Sequence, residues 1–433
     1  MISAVLVVAA VCLFLYPAWT VVRVLTDDGM INGGVPRVVV SRFGALSGRY
    51  HEWGRWYLDS QHAATVHYMN VPATEWPMFG SVMYLLAAQE MVKQPGFTNS
   101  TAFGRVLDAA HTAALVITNP VTATWVKQKW GAAYLTEKNL FYRNLIIMGL
   151  AAYEDVTGDR AHRPLLEAQT KSLAAELEAA PFHVLEDYPG ECYPCDVLWA
   201  VAGINRADKL LGTSHATLVS NFMATMTTRF LTPGRLPAYM ADPATGEIHG
   251  LARGSLTSGL LIFAPELDRP ISREWYPTYD RGYWHSGRLF AGFREHAADD
   301  PDQFEDADSG IIVNGYGSVA TAIGIGAARA HGRFDRSVPM TGEAIACSWP
   351  TPYGSVIPGM LGWVAANGAC LGDVLLAFSM TRPAVTGDVV PSKGGTPGIV
   401  WIMLGVYAVG GVVLLAAALR MAHRAGEAVR QTR

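Results

Sequence analysis

Charge is scarce in this chain: only 16% of its 433 residues are Asp, Glu, Lys or Arg. The 33 basic and 37 acidic side chains leave a net charge of −4. No basic stripe runs along any segment, which excludes a nucleic-acid binder. Cysteine is also rare, with five residues (Cys12, Cys192, Cys195, Cys347, Cys370), too few for a disulfide scaffold. No self-similar period recurs, which argues against a solenoid of stacked repeats. Strand-like alternation is nearly missing. The short exceptions are Tyr239-Met240 and Glu247-Ile248-His249, on either side of a hairpin-turn sequence, Asp242-Pro243-Ala244-Thr245-Gly246.

Two segments account for much of the missing charge. Residues 1–22 and 394–419 contain no charged side chain, and each is long enough to cross a hydrocarbon core as a helix. Tyr16, Trp19, Trp401 and Tyr407 near their ends suit a membrane–water interface. The first segment, 1–25, has two readings, an uncleaved anchor or a signal peptide. It lacks a basic n-region and a clear small-x-small cleavage site, so the anchor is favoured. The second, 398–420, has no such rival and runs into a basic tail at 421–433. Arg23, Arg37 and Arg42 follow the first span, and Arg420, Arg424, Arg430 and Arg433 follow the second, against Arg382 and Lys393 before it. The denser C-terminal cluster favours both termini inside a bacterial plasma membrane and a large extracytoplasmic body.

Between these spans, 47–380 reads as one all-α region, with 381–397 as a linker. Apolar residues recur at helical spacing in about twelve stretches, among them 47–70, 74–93, 137–156, 196–211, 271–295, 310–330 and 362–380. Breaks such as Asn119-Pro120 and Thr232-Pro233-Gly234 separate them. Twelve helices in antiparallel pairs fit an (α/α)6 toroid, a six-hairpin barrel, flanked by the two transmembrane helices. Gly310 to Ala330 has a second reading as a third span. Its glycines at 310, 315, 317, 324 and 326 suit close helix packing better.

The densest reactive chemistry is Gly190-Glu191-Cys192-Tyr193-Pro194-Cys195-Asp196, followed by the apolar run 197–204. At a helix start, free N–H groups and the helix dipole favour anions, so a cysteine there is expected to have a lowered pKa. Three readings stand side by side: a redox or zinc-binding cysteine pair, a plain helix start capped by Asp196, or a pocket wall. A redox pair needs a preceding strand where this chain has a loop, and zinc needs two further ligands. Asp306-Ala307-Asp308-Ser309-Gly310 places two carboxylates as helix caps or as an acid/base pair, with Glu295 and His296 upstream. Asp59 and His62, three apart on the helix expected over 47–70, would share a face with Trp56 and Tyr57, as a pocket wall or a membrane-proximal surface.

Several motifs occur in a telling order: 190–196 leading into Val197-Leu198-Trp199, the turn at 242–246, Arg253-Gly254-Ser255, Pro265-Glu266-Leu267-Asp268, Gly292-Phe293-Arg294-Glu295 and 306–310. Together they resemble the linalool dehydratase/isomerase-like family over about 47–380. That resemblance implies a six-hairpin helical toroid and acid/base chemistry on terpenoid alcohols with no metal and no organic cofactor. Cys192 is similar in place to the family's first catalytic cysteine, while its second, nine positions on, is Val201 here. Asp59 matches the family's aspartate on the first helix, and the histidine expected near Tyr142 is absent.

The expected function is a membrane-anchored lyase or isomerase for a small, mostly apolar alcohol or alkene. Cys192, Asp59 and Asp308 are the expected acid/base groups. His62, Tyr142, Glu191, Tyr193, Cys195, Asp196, Glu295 and Asp306 are expected to line the pocket. The expected partners are the lipid bilayer and a small apolar substrate, a homo-oligomer is compatible, and no nucleic acid is involved. Two other classes stay open: an envelope carbohydrate-active enzyme of glycoside-hydrolase type, and a non-catalytic toroid that binds lipid or glycan.

Overall fold

The computed structural model describes residues 2–301, 303–358, 370–385, 387, 389–392 and 395–431. The expected start of a helix at 362, part of the linker at 381–397, Lys393 and Arg433 lie outside the described residues. The long helices are α1 (Ile2–Leu25), α2 (Arg37–Asp59), α3 (Trp76–Val92), α4 (Phe103–Thr118), α5 (Leu140–Thr157), α6 (Arg163–Ala179) and α7 (Pro194–Leu211). They continue as α8 (Ala216–Arg229), α9 (Gly254–Leu267), α10 (Arg269–Tyr283), α11 (Ser318–Ala330), α12 (Phe334–Cys347), α13 (Leu371–Thr381) and α14 (Gly398–Gln431).

Besides short helices such as Asp28–Ile31, Val71–Thr74 and Thr124–Trp130, there are three antiparallel hairpins: β1–β2 (Met240–Ala241, Ile248–His249), β3–β4 (Trp284–Ser286, Ala291–Phe293) and β5–β6 (Ile312–Val313, Tyr316–Gly317). The first is the hairpin that the turn sequence predicts, with Met240 opposite His249. The other two shorten expected helices. The stretch 271–295 is helical only to Tyr283, and α11 begins at Ser318 rather than Gly310. At 13 residues α11 is too short to be a third span. The helix expected over 47–70 starts at Arg37 and stops at Asp59, where Gln61 takes a left-handed φ of 50°. Asp59 and His62 therefore do not share a helix face.

Burial alternates along the chain. In α3, 13 of 17 residues are buried, and in α5, 15 of 18, whereas α6 buries 6 of 17 and α8 only 4 of 14. A helix without a polar face has to be covered on all sides, while one with a single apolar stripe can do the covering. The packing follows this rule. α3 lies against α5, α5 against α7, α7 against α9, α9 against α11, α11 against α13, and α13 against α3. The even-numbered helices α4, α6, α8, α10 and α12 pack on the odd-numbered ones beside them in sequence, and α2 rests on α4 and α13. Glycine permits the tightest approach: a Cβ at Gly324 of α11 would collide with Phe293, and one at Gly326 would sit 2.8 Å from Ile262 of α9.

Both ends of the odd-numbered helices are tied together. At the N-terminal end, Phe141 at the start of α5 meets Tyr188 before α7, and Arg253 before α9 binds Asp306 before α11. At the C-terminal end, Arg206 of α7 pairs with Glu266 of α9, Arg329 of α11 donates to the carbonyl of Arg382, and Arg382 donates to the carbonyl of Leu86 in α3.

α1 and α14 are long and apolar enough to cross a membrane, with mean hydropathy 2.4 and little of their surface buried. They pair antiparallel, Gly410 and Gly411 lying against Phe14 and Leu15. α12 carries both of them. Tyr407 Oη donates to the Ala346 carbonyl at 2.6 Å, and Trp349 Nε1 to the Leu13 carbonyl at 2.8 Å.

Candidate acid–base site

Three carboxyl groups from three helix starts meet at the N-terminal end of the odd-numbered helices. Glu75 is the residue before α3, Asp196 lies in the first turn of α7, and Asp308 sits on the loop before α11. They are close enough to repel one another: Asp308 and Glu75 both raise Asp196, and Asp308 raises Glu75. Burial is the larger cause in each. It lifts Glu75 to about 7, against the pull of Tyr188 and Lys129, lifts Asp196 to about 8, and raises Asp308.

Asp308 is nevertheless exposed and Asp196 half-buried by surface area. Both carboxyls therefore border the surface of the body at this end. Glu75, raised to about 7, and Asp196, raised to about 8, straddle neutral pH, so Asp196 can donate a proton while Glu75 accepts one.

Tyr188 stands at the centre. Its Oη donates to Glu75 Oε2 at 2.6 Å, and the charges of Glu75, Asp196 and Asp308 all act on it. Lys129, on the short helix Thr124–Trp130, lies 4.1 Å from the centre of the Tyr188 ring and 3.6 Å from Glu75 Oε1. Phe141 flanks Tyr188, and Phe79 stacks on Trp199, so aromatic rings stand beside the polar group.

The 187–196 segment is held by its own turn. Tyr188 and Glu191 bridge across Gly190, whose φ is +83°. Asp187 is fully buried, accepts from Tyr193 N–H at 2.7 Å with one oxygen and leaves the other unbonded. Burial and the charge of Asp196 push Asp187 up. Cys192 and Cys195 are free thiols and buried. Burial, then the neighbouring acids, pushes both upward. This corrects the expectation of a thiolate: Cys192 lies outside the helix proper, and loss of solvent outweighs the dipole. Cys192 is a wall residue, its carbonyl accepting from Ala241 of β1 at 3.0 Å. Tyr193 Oη donates to Glu191 at 2.9 Å, which occupies both.

Arg253 organises the opposite rim. Its Nε donates to Glu295 at 3.0 Å and its two Nη groups hold both oxygens of Asp306, at 2.6 and 3.0 Å. Tyr239 and Phe304 lie 5.0 and 4.5 Å from the guanidinium. Burial pulls Asp306 up, but Arg253 and the N–H groups of Ser309 and Asp308 prevail and keep it low. Asp306 is therefore the anchor of the loop, and Asp308 is the group that loop presents. Glu295 also accepts from Ser255 Oγ at 2.7 Å, and His296 bonds Asp300 and the Phe304 carbonyl. These bonds leave Glu295 and His296 structural.

Three further expected residues stand apart. Asp59 is exposed and ion-paired to Arg55 at 3.5 Å on the surface of α2. His62 lies on the short turn 62–64 with its ring 5.0 Å from Trp56. Tyr142 is buried against Trp125 and Tyr134. None of the three contacts the carboxyl cluster among the described residues. Sequence reading missed Glu75, Tyr188, Lys129 and Arg253. Glu75, in Thr74-Glu75-Trp76-Pro77, is an acid placed directly before a Pro-initiated helix, a signal that could have found it. A separate cleft between α2 and the loop before α13, lined by Arg42, Arg49, Tyr353 and Asp373, holds none of these carboxylates. No protein-family model matches this sequence, and no curated protein matches it either.

Proposed function

We propose that this chain is a membrane-anchored enzyme that performs cofactor-free acid/base chemistry on a small apolar alcohol or alkene. In this reading, its twelve body helices form an (α/α)6 toroid similar to the linalool dehydratase/isomerase-like family. The observation that carries it is the meeting of Glu75, Asp196 and Asp308 around Tyr188. Supporting the toroid, the six odd-numbered helices pack in a cycle with the even-numbered ones outside. Supporting the anchor, α1 and α14 are apolar, long and largely exposed.

The cycle of chemistry uses this chain's groups alone. Protonated Asp196 gives its proton to the substrate hydroxyl, which leaves as water. Ionised Glu75, oriented by Tyr188 and Lys129, takes the proton from the neighbouring carbon, and the electrons of that C–H bond form the alkene. Hydration runs the same steps in reverse. Burial, and after it the neighbouring Asp308 and Glu75, holds the proton on Asp196. The cysteines and Asp59 give up the role that the resemblance assigned to them.

The test is turnover of tertiary and allylic terpenoid alcohols by the purified full chain, read by gas chromatography. Glu75→Gln and Asp196→Asn are expected to lose about 10²-fold or more, and Asp59→Asn less than twofold. Full activity in both carboxamide variants would sink the proposal. Three carboxyls at one mouth also suit hydrolysis of a glycosidic bond, which needs an acid and a base or nucleophile facing each other. Release of reducing sugar from envelope glycans, with no alkene formed, would favour that second reading.

A further inference from the structure

We infer that the mouth of the carboxyl site opens into one leaflet of the bilayer, so that its substrate is a lipophilic alcohol taken from the membrane rather than from water. This rests on the acid/base reading for its chemistry and on α1 and α14 crossing the membrane. The carrying observation is where large apolar side chains are exposed. Outside α1 and α14, thirteen such residues are exposed among the described residues. Eleven of them sit in the last turn of an even-numbered helix or in a connection leading into an odd-numbered one, the end that bears Glu75, Asp196 and Asp308. Tyr353 (75%), Met69 (63%), Ile311 (59%) and Val313 (54%) are the most open. The other two, Val389 and Val390, lie at the opposite end, where Val390 bonds Gly332. Connections at that opposite end are short and polar, such as 158–162 and 212–215. Large exposed apolar side chains gathered on one end, with charged ones such as Glu247, Arg288 and Glu305 between them, make an amphipathic rim suited to the boundary of a bilayer.

The paired helices say which way that end faces and how deep it lies. α1 passes the Trp349 loop, at the C-terminal end of α12, at Leu13, and the chain that follows it reaches Gly33 beside Phe334 at the start of α12. Its N-terminal half and the C-terminal half of α14 therefore project past the mouth end. From Tyr407, which bonds Ala346, to Leu419, the last residue before Arg420, is about 18 Å of helix. A hydrocarbon core of about 30 Å then reaches about 12 Å further towards the body. It covers the exposed Trp401 and Ile402, and the level of the Trp349 loop with Tyr353, Val356 and Ile357. The rim is thereby immersed, the hydrocarbon tail of the substrate stays in lipid, and only its hydroxyl group meets the carboxyls.

The test uses the full chain in phosphatidylcholine–phosphatidylglycerol nanodiscs containing a phosphatidylcholine with a diazirine in its acyl chain. After irradiation, mass spectrometry is expected to find label on 304–313 and 353–357 as well as on α1 and α14. Label confined to α1 and α14 overturns the proposal. The double variant Ile311→Glu, Val313→Glu changes exposed positions and is expected to cut label on 304–313 at least fivefold, with unchanged resistance to alkaline carbonate. Unchanged label in that variant also counts against immersion. If the rim is labelled but no alcohol or alkene is turned over, the acid/base reading fails and the membrane-facing mouth stands. If carbonate releases the wild-type chain, the spanning reading fails and this inference falls with it.

Discussion

Burial does more than charge to set the behaviour of single residues here. Glu75 is raised to about 7 although a tyrosine and a lysine both favour its anion, because loss of solvent outweighs them. The consequence for stability has a definite sign. A carboxyl raised in the folded state contributes stability that is fully present below its unfolded pKa of about 4.3 and is lost as pH rises through about 7. Glu75→Gln keeps an acceptor for Tyr188 and removes that penalty. It is expected to stabilise the protein by roughly 3–4 kcal/mol at pH 8.5 and roughly 1 kcal/mol at pH 5, as read from thermal melts at the two pH values. Arg253 illustrates the converse. Arg253→Met leaves Glu295 buried without its cation and is expected to destabilise by about 3–5 kcal/mol in denaturant titration, with part recovered by adding Glu295→Gln.

Among the elements, alternation between wholly buried and one-sided helices organises the body. It was legible in part. The helical spacing of α3, α5 and α7 is plain in the sequence, as is the hairpin turn at 242–246. The ends of α2 and α10 and the start of α11 were not, because apolar residues continue into a left-handed turn at Gln61 and into hairpins at 284–293 and 312–317. Hairpin strands of two or three residues carry too little alternation to stand out from a helical pattern. The glycines of 310–330 divide accordingly: Gly310 and Gly315 take positive φ in the hairpin segment, and Gly324 admits Phe293. Gly324→Ala is expected to cost about 1–3 kcal/mol by forcing α11 away from that ring, measured by chemical denaturation against wild type.

For the whole molecule, the antiparallel pairing of α1 and α14 puts both chain ends beyond the same end of the body. Reporter fusions at the two termini are expected to report the same compartment, and one inserted in the exposed connection at 212–215 the other. Opposite signals from the two termini would contradict this pairing.

Composition and spacing by themselves determined the helical class, the two long apolar segments, the hairpin at 240–249 and the reactive character of 190–196. All of these are local properties, set by runs of neighbouring residues. Only the tertiary structure decided which acids meet. Glu75, Asp196 and Asp308 are separated by more than a hundred residues each, and no local signal pairs them with one another rather than with Asp59 or Glu295. Their meeting, and the burial that raises them while silencing Cys192, come from helix starts being packed side by side. That placement is a property of the packed ring of contacts and of no single segment.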